Sequence, residues 1–284
     1  MCIRDSFYGD RTEGFLKEIN EWAYGKGVSL YLLIPPPEGY PGITAGESIS
    51  DLLDIIGELD YVVSIGGDGT LLHAAHIIAP YNIPILGINQ GRLGFLTDLQ
   101  DTPISPSLDR LISGDIRVSK RRVLYLKHIR ESGTEESIAL NDVTITRDKG
   151  LNVVSLQLYI NNEFVSSFYG DGVIVSTPTG STGYSLSAGG PVITPDANVN
   201  IITPICPHTL RIRPLVVNAS DTIWIKSSCH RSSLMLNVDG LKATGFDMQD
   251  VAEITTHPRY LINLVHINDM SFFSILSRKL EWGG

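Results

Sequence analysis

A glycine-rich turn in the first half of the chain carries a single carboxylate. An apolar, β-branched run over residues 61–65 leads into Gly-Gly-Asp-Gly-Thr at residues 66–70, and a helical pattern follows at once. This order predicts a buried strand, a tight turn and a helix that Thr70 caps. Glycines let a backbone approach a ligand closely, and the N–H groups and dipole of a helix N-terminus favour a phosphate. The residues predicted to cradle that phosphate are Gly66, Gly67, Gly69 and Thr70.

The chemistry that this turn suggests is phosphoryl transfer. In such reactions the protein mainly positions groups and offsets charge, while an aspartate orients or deprotonates the attacking hydroxyl. Asp68 is therefore the predicted catalytic residue. The turn has neither the Lys-Ser/Thr of a P-loop nor the glycine spacing of a dinucleotide-binding fingerprint. On these residues alone, a structural glycine turn capped by Asp68 is the alternative.

A second polar segment covers residues 171–191. Its predicted strand, residues 173–175, ends in a turn rich in Ser, Thr and Gly, and a helix is predicted over residues 180–188. Hydroxyl and N–H groups would form a second cradle there. Tyr184 can stack on a flat ring or donate its hydroxyl. The alternative is a hydroxyl-rich linker, although linkers rarely join a strand to a helix.

Two polar residues, Asn141 and Asp142, interrupt an apolar strand predicted over residues 138–146. Neighbouring strand residues point to opposite faces, so at least one of the two faces inward unless a bulge intervenes. An Asn amide can pair with an adenine edge, and a carboxylate can hold a ribose hydroxyl. An exposed pair at a sheet edge is the alternative.

The elements that must position these residues change in type along the chain. Helical patterns and apolar strand-like runs alternate over residues 15–23, 28–34, 52–56, 61–65, 71–79, 83–88 and 106–112. This alternation is typical of a doubly wound parallel sheet, in which ligands lie beyond the carboxyl ends of the strands. Short strand-like runs then dominate and indicate antiparallel β structure. We predict an α/β domain over residues 1–117 and a β-rich domain over residues 118–269, with an amphipathic helix over residues 270–281 that could pack back on the first domain.

The start of the chain does not read as the start of a domain. No strand is predicted before the first helix, although a sheet of this class usually begins with one. The sequence therefore predicts a truncated, irregular N-terminus over residues 1–9 and an unpaired sheet edge.

Composition limits the class of protein. The net charge of −9 argues against a general nucleic-acid binder. The three cysteines, Cys2, Cys206 and Cys229, fit neither a disulfide framework nor a zinc spacing, which suits a reducing compartment. No apolar run approaches the roughly 20 residues of a membrane span, and no secretory signal is present. We predict a cytoplasmic protein with no nucleic-acid or membrane partner.

Taken in order, these motifs resemble bacterial NAD kinases. The resemblance runs from about residue 10 to the end, and residues 177–191 are its most specific part. The segments that carry it are residues 66–70, 89–96, 141–142, 171–191 and 204–210. It implies transfer of the γ-phosphoryl group of ATP, or of another phosphoryl donor, to the 2′-hydroxyl of the adenosine ribose of NAD, with a divalent cation such as Mg²⁺.

The resemblance also implies roles for individual residues. Asp68 would be the proton acceptor, while His73 stands where the family often has Arg, Asp142 where Glu is common, and Gly183 where Ala is usual. The residues expected to bind NAD are Asp68, Gly69, His73, Asn141, Asp142, Asp171, Thr182, Gly183, Tyr184, Ser185, Leu186 and Ser187. The resemblance identifies no metal ligands. A homodimer or homotetramer is expected, as is usual in the family.

Two alternatives stay open at this point. The glycine turn is shared with diacylglycerol kinases and phosphofructokinases, so a lipid or sugar kinase is one alternative. Residues 177–191 and the lack of an evident membrane-binding surface argue against it. A catalytically inactive regulator that binds a dinucleotide is the other, and a truncated first domain would favour it.

Overall fold

The computed structural model contains two compact units. Unit 1 comprises Met1–Lys120 and Ile262–Gly284, and unit 2 comprises Arg121–Leu261. The residues whose structure is described are 2–5, 10–32, 43–45, 53–89, 94–100, 104–148, 153–209, 211–228 and 234–281. Some positions named by the sequence predictions lie outside the described residues, namely 1, 6–9, 33–34, 52, 90–93, 210 and 229.

Unit 1 is built on a parallel sheet. Its strands are β1 (Cys2–Asp5), β2 (Leu30–Leu32), β3 (Ile43–Ala45), β4 (Val62–Ile65), β5 (Ile85–Asn89) and β6 (Leu99–Gln100). They lie in the order β3, β2, β1, β4, β5, and β6 also pairs with β5. All these pairings are parallel. On the edge away from β4, Ile85 and Leu86 of β5 pair in parallel with Leu264 and Val265, which also belong to unit 1.

Strand β1 corrects the prediction for the start of the chain. Cys2 pairs with Val62 of β4 and with Tyr31 of β2, both in parallel, so β1 lies inside the sheet. The predicted missing strand and unpaired edge are therefore wrong. The strand was missed because it is four residues long and includes Arg4 and Asp5. Pairing on both sides overrides this weak local preference for strand.

Among the described residues of unit 1, helices of ten or more residues connect the strands. They are α1 (Asp10–Lys26), α2 (Asp68–Ile78) and α3 (Ile104–Ser113). Ile19 of α1 and Leu108 of α3 are buried in one core cluster with Val63 of β4 and Leu86 of β5. The predicted α/β domain with a parallel sheet is confirmed.

Unit 2 consists mainly of antiparallel strands. They are β7 (Arg117–Arg130), β8 (Gly133–Ala139), β9 (Asp142–Arg147), β10 (Val154–Ile160), β11 (Glu163–Gly170), β12 (Gly172–Ser176), β13 (Val199–Ile205), β14 (Leu215–Asn218), β15 (Ile223–Ser227), β16 (Leu234–Val238), β17 (Lys242–Phe246) and β18 (Val251–His266). One six-stranded sheet has the order β14, β13, β12, β9, β16, β17. A second layer contains β11, β10, β15 and β18, with β7 paired to β18 and β8. Residues 117–120 of β7 and residues 262–266 of β18 belong to unit 1. Leu156, Val173, Ile225 and Phe246 are buried in their common core, so the predicted β-rich second part is confirmed.

Two further helices follow. The predicted helix over residues 180–188 is reduced to a 3-10 turn, Gly180–Thr182, and one turn of α-helix, α4 (Tyr184–Ser187). Ser271 caps the N-terminus of helix α5 (Phe272–Leu280), because its Oγ accepts a hydrogen bond from the Ser274 N–H. Among the described residues, no helix is both long and apolar enough to cross a membrane.

Helix α3 receives its N-terminal cap from α1. The Glu18 Oε1 atom accepts the backbone N–H groups of Ile104 and Ser105, each at 3.0 Å, and the Ser105 hydroxyl at 2.8 Å. The first N–H groups of a helix have no intrahelical partner, and negative charge at this end also complements the helix dipole. Glu18 therefore couples the start of α3 to the packing of α1.

Replacing Glu18→Ala should lower the free energy of unfolding by about 1–2 kcal/mol, because both N–H groups lose their acceptor. Glu21→Ala, at an exposed position of the same helix, should change it by less than about 0.5 kcal/mol. Urea unfolding followed by circular dichroism measures both values. Equal losses in the two variants would show that Glu18 is not a cap.

Candidate active site

The glycine turn joins β4 to α2, as predicted, but its cap differs from the prediction. Gly67 is the N-cap residue of α2, with φ −87° and ψ −176°, and Asp68 is the first helical residue. The prediction that Thr70 caps the helix is wrong, because Thr70 already lies within the first turn and its N–H bonds to the Gly67 carbonyl at 3.0 Å. Gly67 has no side chain to cap the helix. The N-terminus of α2 is thus formed by backbone alone.

The carboxylate of Asp68 points to the segment that follows β5. Its Oδ2 accepts the Phe95 N–H at 2.9 Å, and its Oδ1 accepts the Leu96 N–H at 3.2 Å. The Thr97 hydroxyl donates to the same Oδ1 at 3.4 Å. Hydrogen bonds to an ionised carboxylate are stronger than neutral ones. These donors therefore hold the carboxylate, which is half-buried, in one orientation.

Gly94 is required for this contact for a steric reason. A Cβ atom at position 94 would lie 1.9 Å from Asp68 Oδ1 and 2.4 Å from Thr97 Oγ1. No side chain fits there without moving the carboxylate. Gly94 lies in segment 89–96 of the family resemblance, but sequence reasoning assigned it no role.

Unit 2 contains a cavity of about 620 Å³, within the range usual for small-molecule sites. Four predicted NAD-binding residues line it: Asn141, Asp142, Asp171 and Tyr184. The other lining residues are Thr144, Thr146, Arg147, Ile205, Asn237, Asp239 and Gly240.

Asn141 lies at a bend and Asp142 begins β9, which corrects the predicted continuous strand over residues 138–146. Strand β8 pairs with β7, whereas β9 pairs with β12 and β16, so the chain changes sheets at this point. The Asp239 carboxylate accepts the N–H groups of Leu140 at 2.7 Å and of Asn141 and Asp142 at 2.8 Å. These donors have no ladder partner at the bend, and Asp239 satisfies them.

Sequence reasoning missed Asp239. It follows β16 in a tight turn in which Asp239 and Gly240 have φ +51° and +69°. An Asp-Gly pair after an apolar run is a strong hairpin signal. The signal was therefore present for the turn, but nothing in it indicated that the carboxylate reaches the bend at Asn141.

The polar segment after β12 supports the same bend. The Thr177 hydroxyl donates to the Leu140 carbonyl at 2.6 Å, and the Thr177 N–H donates to the Asn141 carbonyl at 2.9 Å. A Cβ atom on Gly180 would lie 2.1 Å from the Asn141 oxygen, so the two backbones are in direct contact. Thr177 and Gly180 therefore help to hold the bend at Asn141.

Several hydroxyls predicted to form a second cradle are used inside unit 2. Ser185 is fully buried, and its Oγ lies 2.8 Å from Thr203 Oγ1. The Ser181 hydroxyl donates to the Pro178 carbonyl at 2.6 Å. Tyr184 is different, since 46% of its side chain is exposed and it lines the cavity.

The remaining predicted residues occupy other positions. Asp171 is paired with Arg147, with Nε and Oδ1 3.3 Å apart. On α2, Gly69 and His73 are exposed. Eight residues predicted to bind NAD are not among the described residues that line the cavity, namely Asp68, Gly69, His73, Thr182, Gly183, Ser185, Leu186 and Ser187.

Asp142 is a buried titratable side chain of the cavity. It is 7% exposed, and no donor among the described residues bonds its carboxylate. Burial and, to a smaller extent, the negative charge of Asp239 raise the pKa of Asp142 to about 7. The carboxyl group is therefore close to half protonated at neutral pH, so it can donate or accept a hydrogen bond to a ligand.

This shift predicts a loss of stability with rising pH. The unfolded state ionises Asp142 near its ordinary pKa of 3.8, whereas the folded state does so only at about 7. The contribution of Asp142 to the free energy of unfolding is therefore fully present below pH 3.8 and is lost as the pH rises through about 7. Between about pH 5 and pH 8 the natural protein should lose on the order of 2 kcal/mol more than Asp142→Asn.

Urea unfolding at both pH values measures this difference. Asp148→Asn removes an exposed carboxylate near the end of β9 and serves as the matched control. It should follow the natural protein. If the stability of Asp142→Asn has the same pH dependence as that of the Asp148→Asn control, folding does not raise the pKa of Asp142.

Comparison with known proteins identifies the family. Residues 49–116 match the ATP-NAD kinase N-terminal domain, and residues 140–267 match the ATP-NAD kinase C-terminal domain. The NAD kinase of Caldanaerobacter subterraneus is 40% identical over 276 residues, which cover 95% of this chain and 95% of that protein.

Two solved structures are similar along the whole chain. Yeast NADH kinase complexed with NADH has a TM-score of 0.89 at 25% identity, covering 100% of this chain and 87% of that one. The NAD kinase from Archaeoglobus fulgidus in complex with ATP has a TM-score of 0.76 at 25% identity, with 100% of each chain covered. These matches do not support a lipid kinase, a sugar kinase or an inactive regulator. The chain belongs to the NAD kinase family, which phosphorylates NAD with ATP.

Proposed function

We propose that Asp68 orients the 2′-hydroxyl of the adenosine ribose of NAD and accepts its proton. The observation that carries this proposal is the position of the Asp68 carboxylate, which is held by donors from residues 95–97 beside a helix N-terminus that no side chain caps. The hydroxyl oxygen attacks the γ-phosphorus of ATP, the bond to the bridging oxygen breaks, and ADP leaves. A carboxylate is a weak base at neutral pH, so orientation and charge contribute more than proton abstraction.

The turn itself is proposed to hold phosphate groups. Gly66, Gly67, Gly69 and Thr70 lie at the N-terminus of α2, where the helix dipole favours an anion. The N–H groups of Gly66 and Thr70 already donate to the carbonyls of Ile88 and Gly67. Gly67 and Gly69 are exposed, and a Cβ atom at either position would meet nothing within 4 Å. A ligand can therefore approach this backbone.

The cavity of unit 2 is proposed to hold part of NAD. Asn141 offers an amide to an adenine edge, Asp142 a carboxyl group to a ribose hydroxyl, and Tyr184 a ring for stacking. Asp171, at the cavity wall, is a further proposed contact. Gly69 and His73 of α2, in unit 1, are separately proposed to contact NAD. The remaining proposed contacts with NAD are those that the family resemblance implies, at Thr182, Gly183, Ser185, Leu186 and Ser187.

A divalent cation is proposed to enter with ATP. Among the described residues, no group of three or more His, Cys, Asp or Glu side chains is placed to hold a metal. Mg²⁺ is commonly bound through phosphates, water and one or two carboxylates, and it does not require such a cluster of side chains. The cation would neutralise charge on the transferred phosphoryl group, while the chain orients the hydroxyl.

Substrates and assembly are proposed on the family pattern. The structure of the Archaeoglobus fulgidus enzyme holds ATP and that of the yeast enzyme holds NADH. For this chain we expect ATP as donor, NAD as acceptor, a homodimer or homotetramer, and a cytoplasmic location without nucleic-acid or membrane partners.

Asp68→Asn should reduce kcat for NADP formation at least about a thousandfold, because the side chain can no longer accept the proton of the hydroxyl. The affinity for NAD should change less than about threefold, since Asn has nearly the same shape. NADP-specific enzymatic cycling measures the rate, and calorimetry measures binding. Asp60→Asn, at an exposed position before β4, is the control. Near-normal turnover of Asp68→Asn would remove Asp68 from the mechanism.

Gly94→Ala should lower kcat by about a hundredfold or more, because the added methyl displaces the Asp68 carboxylate from its donors. Gly57→Ala is the matched control, since a Cβ atom there meets nothing within 4 Å. The same cycling assay reports both. Equal activity of the two alanine variants would mean that the contact with Gly94 does not set the carboxylate position.

A further inference from the structure

Two buried polar side chains lie behind the Asp68 carboxylate. Asn89 is the last residue of β5 and is 3% exposed, and Thr97 follows Leu96 and is 2% exposed. Asn89 Nδ2 donates to Thr97 Oγ1 at 3.1 Å, and Thr97 Oγ1 donates to Asp68 Oδ1 at 3.4 Å. A continuous hydrogen-bonded chain therefore runs from the end of a sheet strand to the carboxylate.

The chemistry of the donors sets the direction of this chain. An amide NH₂ group can only donate, so the Thr97 oxygen accepts from Asn89 and its single proton is available to Asp68. Packing sets the threonine rotamer as well. The Thr97 methyl group is so close to Gly87 that a Cβ atom at Gly87 would lie 2.9 Å from it. Asn89 and the methyl contact together aim the hydroxyl.

The two oxygens of Asp68 are used unequally. Oδ1 receives both the Leu96 N–H and the Thr97 hydroxyl, whereas Oδ2 receives the Phe95 N–H. A carboxylate oxygen can accept about two hydrogen bonds. Oδ1 is thus filled by the protein, and Oδ2 keeps an acceptor position for a substrate hydroxyl.

We infer that Asn89 and Thr97 are positioning residues, which lock Oδ1 so that Oδ2 of Asp68 faces the hydroxyl of the nucleotide substrate. This inference rests on the proposed role of Asp68. The hydrogen bond from Thr97 Oγ1 to Asp68 Oδ1, at 3.4 Å, is long. It therefore contributes more to the orientation of the carboxylate than to the free energy of folding or of substrate binding. Loss of this hydrogen bond should leave the protein folded and the substrates bound. The Asp68 carboxylate should then have the productive orientation in a smaller fraction of the substrate complexes.

Thr97→Val keeps the branched shape and removes the hydroxyl. We expect kcat to fall about tenfold, while KM for NAD and for ATP and the melting temperature stay close to the natural values. Thr97→Ser keeps the hydroxyl and loses the methyl group that fixes it, so its kcat should lie between those of Thr97→Val and the natural protein. Unchanged kcat in Thr97→Val, or equal losses in both variants, would overturn the inference.

Ser64→Ala is the matched control for removal of one buried hydroxyl. Ser64 lies on β4 in the same unit, is 1% exposed, and its Oγ has no hydrogen-bond partner among the described residues. Its kcat should equal that of the natural protein. A tenfold loss in this control would show that any buried hydroxyl of the sheet affects turnover and would contradict a specific role of Thr97.

Double variants separate this inference from the role of Asp68. If Thr97 acts through Asp68, adding Thr97→Val to Asp68→Asn should cause no further loss of kcat. Likewise, Asn89→Ala with Thr97→Val should be no slower than the slower single variant. Additive losses in either pair would refute the chain of contacts. An inactive Asp68→Asn beside a normal Thr97→Val would refute only the positioning, whereas an active Asp68→Asn would refute the proposed role itself.

Discussion

Carboxylates that accept backbone N–H groups from distant segments hold each of the two sites in shape. Asp68 accepts N–H groups of Phe95 and Leu96, which lie 27 and 28 residues further along the chain. Asp239 accepts that of Asn141, 98 residues away. The N–H groups of irregular backbone lack a strand or helix partner and are costly to leave unpaired. An ionised carboxylate is a strong acceptor for them, so one side chain can both fix a loop and define a site.

The carboxyl groups of Asp68 and Asp142 have different environments. Asp68 is half-buried, and three donors hold its carboxylate in one orientation. Asp142 is almost fully buried, and no donor in the described structure bonds it, so burial raises its pKa to about 7. A buried acid without a partner costs stability, and such costs are found mainly at functional sites. The contrast fits an orienting group in unit 1 and a ligand-binding group in unit 2.

Much of the architecture and the family could be predicted from the residues. The strand and helix that flank Asp68, the parallel sheet of unit 1 and the antiparallel strands of unit 2 follow from local hydrophobic periodicity. The predictions failed where a distant partner decides the local structure. Strand β1 is ordered by pairing on both sides, and Asn141 lies in a bend because the chain changes sheets there. No local pattern indicated that the hydroxyl of Ser185 lies 2.8 Å from that of Thr203 inside unit 2.

The sequence by itself therefore determined the fold class, the family and the position of Asp68 at the start of a helix. These depend on composition, on periodicity and on motifs within a few residues of each other. Only the tertiary structure decided which groups hold that carboxylate, why position 94 excludes a side chain, and that Asp239 forms the bend beside the cavity. Each of these is a contact between residues far apart in the chain, and no local pattern encodes the partner of such a contact.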